Sequence, residues 1–316
     1  MSLEELTFPS ANGRDTINAW IYTPTRVDGP RAVIQIVHGL GEHSRRYIHM
    51  ISALLDAGFV VAADDHAGHG RTAMESGVWQ DTGEDGARVV VDDERALHDL
   101  VAERYPGVPH FLFGHSWGSM IGRGYMADHG DTLTGAMLCG IAAKMRGIEG
   151  DVDRGELDRR IAEGHGEEPG QDIANAMFTG ATDRYDDVQM PTDWVADDRG
   201  VVADHARDPF NNFAAPMSNR FVRDFVDLYD AVNADDWYGR VRDDLPVLIL
   251  AGDQDPVTGF GEGAYHVANK LVDSGTRDVR TRVWTGHRHE IHNEPESRPE
   301  VEAEIIAFVE RAIEAD

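Results

Sequence analysis

A single cysteine, Cys139, stands in 316 residues. No intrachain disulfide can form, so the fold has to rest on its core. Cys139 lies in the apolar run GAMLCG and reads as a small core residue rather than a nucleophile. Lysine is almost missing. Lys144 and Lys270 are the only two among 29 basic residues, which face 57 Asp and Glu for a net charge of -28. Such a surface repels nucleic acid and anionic lipid, so both are set aside as partners. The excess of acid predicts adaptation to a salty interior, where a Debye length of about 3 Å at about 1 M salt mutes self-repulsion. No apolar run is long enough for a membrane span, so no integral membrane association is expected. The N-terminal MSLEELTFPSANGRDT carries acidic and polar residues where a secretory signal needs a basic start and an apolar run, and a cytoplasmic protein is expected.

What is present is a globular composition, 41% hydrophobic and 27% charged, in a chain long enough for one large domain or a domain with an insertion. Short apolar runs recur at 31–39 (RAVIQIVHG), 59–70, 110–116, 135–140, 246–253 and 279–284. Continuous runs of this length suit parallel strands covered on both faces. Helical patterns alternate with them. Leu97, Leu100 and Val101 share one face, and Val301, Ile305, Phe308 and Ala312 stripe the last helix. LEELTFPSANG and TINAWIYTP, split by a turn, predict an antiparallel hairpin at the sheet edge. The sum is an α/β fold with a mostly parallel eight-stranded sheet and helices on both faces.

Residues 143–236 break the rhythm. They are acidic, with glycine clusters and scattered Met177, Phe178, Trp194, Phe210, Phe213 and Phe225. They predict a cap inserted into a core made of 1–142 and 237–316. Within them EGHGEEPGQD predicts a mobile loop.

The strongest chemical signal is GHSWG at 114–118, directly after a strand and before a helical pattern. A serine on that elbow has its hydroxyl lifted above the sheet at a helix N-terminus. The flanking Gly114 and Gly118 avoid collision where strand and helix cross. A helix cap would also use a serine, but would not need glycine on both sides. A serine nucleophile needs a base, and the chain order for this elbow is serine, acid, histidine. After the strand LILAG come Asp253 and Asp255; Asp255, deeper in the loop beside Pro256, is the expected acid and Asp253 a turn-former. The next strand leads into TGHRHEIHNE. His287 follows Gly286 in a turn, His292 falls where a helix is expected to begin, and His289 is the expected general base. The zinc-protease spacing is absent, and His66 and His69 read as loop hydrogen-bonders, so no metal or organic cofactor is expected. HGLGEHSRRY, after the strand ending at Val37, offers a glycine loop. Its Leu40 amide, with the Trp117 amide after the nucleophile, is expected to form an oxyanion hole.

HGLGEHSRRY, DDHAGHGRT, GHSWGS, GDQDPV and RHEIHNE together resemble the monoacylglycerol lipase and lysophospholipase branch of the α/β-hydrolases, the serine aminopeptidase-like hydrolases. The resemblance covers nearly the whole chain outside 143–236. It implies Ser116 as nucleophile, Asp255 as acid, His289 as base and Leu40 with Trp117 as oxyanion donors. It also implies an acyl ester or lipid substrate, such as a monoacylglycerol, a lysophospholipid or a simple ester. The chain departs from the family at Trp117, where methionine is usual, at Ser119, where glycine is common, and at Ala67, where arginine is usual. An acyltransferase with the same triad and a non-catalytic binding protein on this scaffold are the rival readings. An epoxide hydrolase or dehalogenase would need a carboxylate at position 116.

Overall fold

The computed structural model describes residues 1–25 and 29–315. The strands are β1 Ser2–Pro9, β2 Thr16–Thr23, β3 Val33–Val37, β4 Val60–Asp65, β5 His110–His115, β6 Gly135–Cys139, β7 Val247–Gly252 and β8 Val279–Trp284. They form one sheet in the order β1-β2-β4-β3-β5-β6-β7-β8. β1 and β2 are the expected antiparallel edge hairpin, β2 runs antiparallel to β4, and every pairing from β4 to β8 is parallel. This is the α/β-hydrolase architecture expected from the sequence.

The helices are α1 Ile48–Asp56, α2 Gly70–Ser76, α3 Gly86–Arg104, α4 Trp117–His129, α5 Arg146–Gly150, α6 Arg154–Ala162, α7 Gln171–Ala176, α8 Arg199–Arg207, α9 Asn219–Asn233, α10 Glu262–Ser274 and α11 Arg298–Ala315. The continuous apolar runs follow from burial on both faces. In β7, Val247, Ile249 and Ala251 join a core with α3, α4, α9 and α10. Leu248 and Leu250 point the other way, into a core with α1 and α11. Burying each large apolar side chain contributes about 1.5–3 kcal/mol. β8 lies at the sheet edge with Arg280 and Arg282 along it, a charged edge that discourages further strand addition. No helix among the described residues is long and apolar enough to cross a membrane.

The chain between β6 and β7 carries α5 to α9. Its Met177, Trp194 and Phe225 are buried in the same core as α4. The loop expected to be mobile, 163–172, is instead tied down. The Asn219 amide donates to the Glu168 carbonyl, the Arg220 amide to Gly166 and the Gly170 amide to Met217. Its glycines serve a tight backbone path rather than freedom. The helix expected to begin near His292 starts only at Arg298; residues 291–297 are turns. Pro295 and the Ser297 hydroxyl, which donates to the Ile291 carbonyl, favour those turns over a helix.

Candidate active site

Four loops converge at the carboxyl ends of the strands, where ligands bind in open α/β sheets. They follow β3, β5, β7 and β8.

Ser116 occupies the turn between β5 and α4 with φ +56° and ψ -119°, a backbone conformation costly for any residue with a side chain. The surroundings enforce it. A Cβ at position 114 would collide with the Gly118 carbonyl, and one at position 118 with the Val37 carbonyl at the end of β3. The glycines thus let α4 sit against both β5 and β3. Trp117 is the first residue of α4, so its amide has no acceptor within the helix. Ser119 ties the elbow in place: its hydroxyl donates to the Ser116 carbonyl at 2.5 Å and accepts from the Ala142 amide at 3.1 Å.

Asp255 is fully buried after β7. Its Oδ1 accepts the Val257 amide at 2.8 Å, and its Oδ2 lies 2.8 Å from His289 Nδ1. Burial disfavours the imidazolium, but the Asp255 carboxylate outweighs it through charge and hydrogen bond, so His289 titrates above the usual histidine range. With Nδ1 engaged, Nε2 remains; it is buried and has no hydrogen-bond partner among the described residues. Gly140, at φ +54°, lets the ring approach: a Cβ there would lie 2.8 Å from His289 Cε1. Asp253 is placed apart from this pair, where its Oδ1 accepts the Gly286 amide at 2.7 Å and closes the turn after β8. The His287 carbonyl, in that turn, accepts the Gln254 amide.

Ser116, Trp117, Leu40 and His289 line one chamber, roofed by Phe178, Trp194, His205, Phe213 and Phe225. Its free volume is about 20 Å³. A cavity of about 300 Å³ adjoins it through shared walls at Met145, Phe178 and Val257. The Trp117 ring packs on His66, His69, Phe221 and Phe225.

The sequence reading missed a buried ion network behind this chamber. Glu42 Oε1 accepts the Gly39 amide at 2.6 Å and the Tyr47 hydroxyl at 2.6 Å, and lies 3.1 Å from His115 Nδ1. Arg46 bridges Glu42 and Glu290. Burial pushes these carboxyls up, but His115 and Arg46 hold Glu42 well below the carboxylate range, and Arg46 holds Glu290 at about 2. The signal was present in HGLGEHSRRY, where Glu42 and Arg46 stand four apart, but not the partner 244 positions away. His292, also inside, stacks on Tyr47 at 5.0 Å and is held well below the usual range by burial and by His115.

The family model for serine aminopeptidase, S33 matches residues 28–296. Among solved structures, a lipase in an open form is 48% identical, with TM-score 0.94 and 99% of both chains covered. A highly thermostable carboxyl esterase from Bacillus coagulans, in complex with glycerol, is 46% identical, with TM-score 0.95 and 99% of both chains covered. The monoacylglycerol lipase of Mycolicibacterium smegmatis is 34% identical over 122 residues, 39% of this chain and 41% of that protein. The chain thus spans 29–41% of the length of the monoglyceride and monoacylglycerol lipase relatives it matches. A match over most of the chain, reached independently by sequence and by structure, places this protein in the serine aminopeptidase S33 family of α/β-hydrolases, in its monoacylglycerol lipase-like branch.

Proposed function

We propose that the protein is a serine hydrolase of carboxylic esters, acting on monoacylglycerol or similar acyl esters through an acyl-enzyme. The observation that carries this reading is the pairing of a strained Ser116 elbow with a buried His289 whose Nδ1 is held by Asp255 and whose Nε2 is unengaged in the same chamber. The 46–48% identity to a lipase and a carboxyl esterase over 99% of the chain supports the ester as the bond cleaved.

In the proposed sequence Ser116 Oγ attacks the ester carbonyl while His289 Nε2 takes its proton. The Leu40 and Trp117 amides stabilise the oxyanion; losing one such donor costs about 3–4 kcal/mol. Collapse expels the alcohol, which takes the proton back from His289. Water, deprotonated by His289, then attacks the acyl-enzyme and releases the acid. Asp255 fixes the tautomer and stabilises the imidazolium. Residues 143–236 act as a cap over a core of 1–142 and 237–316, supplying the aromatic roof, and the adjoining 300 Å³ cavity gives part of the substrate its room.

The test is labelling with a serine-directed fluorophosphonate, combined with Ser116→Ala. The reading expects covalent labelling at Ser116 and loss of ester turnover in a variant that stays folded. Substantial residual hydrolysis would reject it. Product analysis with added glycerol separates hydrolysis from acyl transfer to an alcohol.

A further inference from the structure

Three polar side chains that play no part in the proposed hydrolysis meet inside the molecule, between the end of β4 and α3. Asp64 is in β4, His66 lies just beyond it, and Glu94 is on α3; all three are buried. His66 Nδ1 lies 3.3 Å from either oxygen of Asp64 and 3.3 Å from Glu94 Oε1. Asp64 Oδ1 and Glu94 Oε1 have no hydrogen-bond partner among the described residues. Among the same residues no arginine or lysine pairs with either carboxylate; His66 is the sole basic group facing them.

The outward atoms of Glu94 and His66 are held. Glu94 Oε2 accepts from Gln35 Nε2 at 2.5 Å. His66 Nε2 lies 3.2 Å from the His38 carbonyl, which can only accept, so Nε2 carries the ring proton. In the neutral ring this leaves the Nδ1 lone pair facing two carboxylates. Such an arrangement is repulsive unless a proton or a cation sits among them. A proton between His66 Nδ1 and a carboxyl, carried by either group, would make a short hydrogen bond of about 2.5–2.9 Å. A divalent ion bound tetrahedrally at about 2.0–2.1 Å instead sets its ligand atoms about 3.3 Å apart. The observed spacing matches the second case. The restraint of the second atom of His66, by a carbonyl, and of Glu94, by an amide, is what metal ligands need to keep their orientation.

We propose that Asp64, His66 and Glu94 form a structural site for a divalent cation of the zinc class. The imidazole and the small carboxylate set suit such an ion, whereas calcium takes six to eight oxygen ligands. No step of ester cleavage runs through it. Its effect is on the loop above: the His66 ring stacks on His38 at 3.7 Å, and the His66 amide donates to His38 Nε2 at 3.1 Å. His38 opens the loop that carries Leu40. The ion would therefore pin β4, α3 and the base of that loop together.

Because the cluster is enclosed, the ion has to be supplied while the chain folds. The protein is produced in minimal medium with zinc, or with cobalt as the only added transition metal, then purified and dialysed against chelator. Elemental analysis is expected to find about one ion per folded chain, and the cobalt form the visible absorption of a low-coordinate site. Glu94→Gln, which keeps the shape, is expected to lower metal retention by at least about tenfold, as is His66→Asn. A folded wild-type protein free of metal in both media would overturn the proposal in favour of a proton shared by Asp64 and Glu94. Full retention in Glu94→Gln would overturn it as well. Where a variant fails to fold, the metal content of the wild type decides.

Discussion

Arg46 grips Glu290 through two hydrogen bonds, of 2.5 and 2.8 Å, and Glu42 through a third of 2.9 Å. It so joins the loop bearing Leu40 to the loop bearing His289. Replacing Arg46 with leucine would strand two carboxylates in the interior. Leaving a buried ionic partner unpaired costs about 3–5 kcal/mol. Urea unfolding of Arg46→Leu should show a loss of that size, and a loss under about 1 kcal/mol would mean that water reaches the network.

The pH dependence of the proposed reaction follows from His289, its proposed base. A general base must be neutral, and the Asp255 carboxylate raises His289 above its usual range despite burial. The acid limb of kcat/KM should therefore have its midpoint above the reference histidine value of about 6.5, with activity rising through it toward alkaline pH. Asp255→Asn removes the charge that raises it. This variant should lower the midpoint and reduce kcat by up to about 10⁴-fold, because the tautomer is no longer fixed. A midpoint unmoved by Asp255→Asn would separate this carboxylate from the titrating base.

Trp117 is expected to act through its amide, while its ring packs on His69, Phe221 and Phe225. Trp117→Met keeps the amide and opens space. Activity on a short-chain ester should persist within about tenfold, with stability lower by about 1–3 kcal/mol from the imperfectly refilled volume. Rates over esters of graded acyl length should shift toward bulkier substrates. A collapse of activity on all of them would show that the ring itself is required.

At Gly118 the argument is steric. A methyl group there meets the Val37 carbonyl oxygen, a backbone atom that cannot swing aside. Gly118→Ala should cost about 3 kcal/mol or more, or prevent folding. Gly150→Ala, with nothing within 4 Å, serves as the control and should fold normally.

The charge of -28 makes its own prediction. Self-repulsion among surface carboxylates should ease as salt shortens the Debye length from about 10 Å at 0.1 M to about 3 Å at 1 M. The melting temperature should climb across that range, and a flat profile would reject adaptation to a salty interior.

Much of this was legible in the sequence for physical reasons. β3 to β7 are near-continuous apolar runs because both faces of the sheet are covered there, whereas β8, VRTRVW at the edge, is mostly half-exposed. Gly114 and Gly118 mark a crossing that tolerates no side chain. The structure brings Asp255 and His289 into hydrogen-bond contact, as their positions after consecutive strands suggested. The Arg46–Glu290 clasp was not legible, because nothing local in RHEIHNE marks Glu290 as the partner of an arginine in another loop. The pinned 163–172 loop was misread for a related reason. Its polar, glycine-rich composition resembles a free segment, while its anchors at Met217 and Asn219 lie about fifty residues away.

The roof over Ser116 has a consequence for speed. Phe213 sits directly on Gly41, leaving no space for a methyl group between them, and Trp194 stacks on Phe178 while touching the His289 ring. With about 20 Å³ free beneath it, the enclosure admits little more than one water, so an ester enters only when these aromatics swing aside. Each catalytic cycle would then include an opening and a closing of these side chains besides bond making and breaking. Turnover of a good substrate should slow in viscous solvent, and Phe213→Ala should weaken that drag.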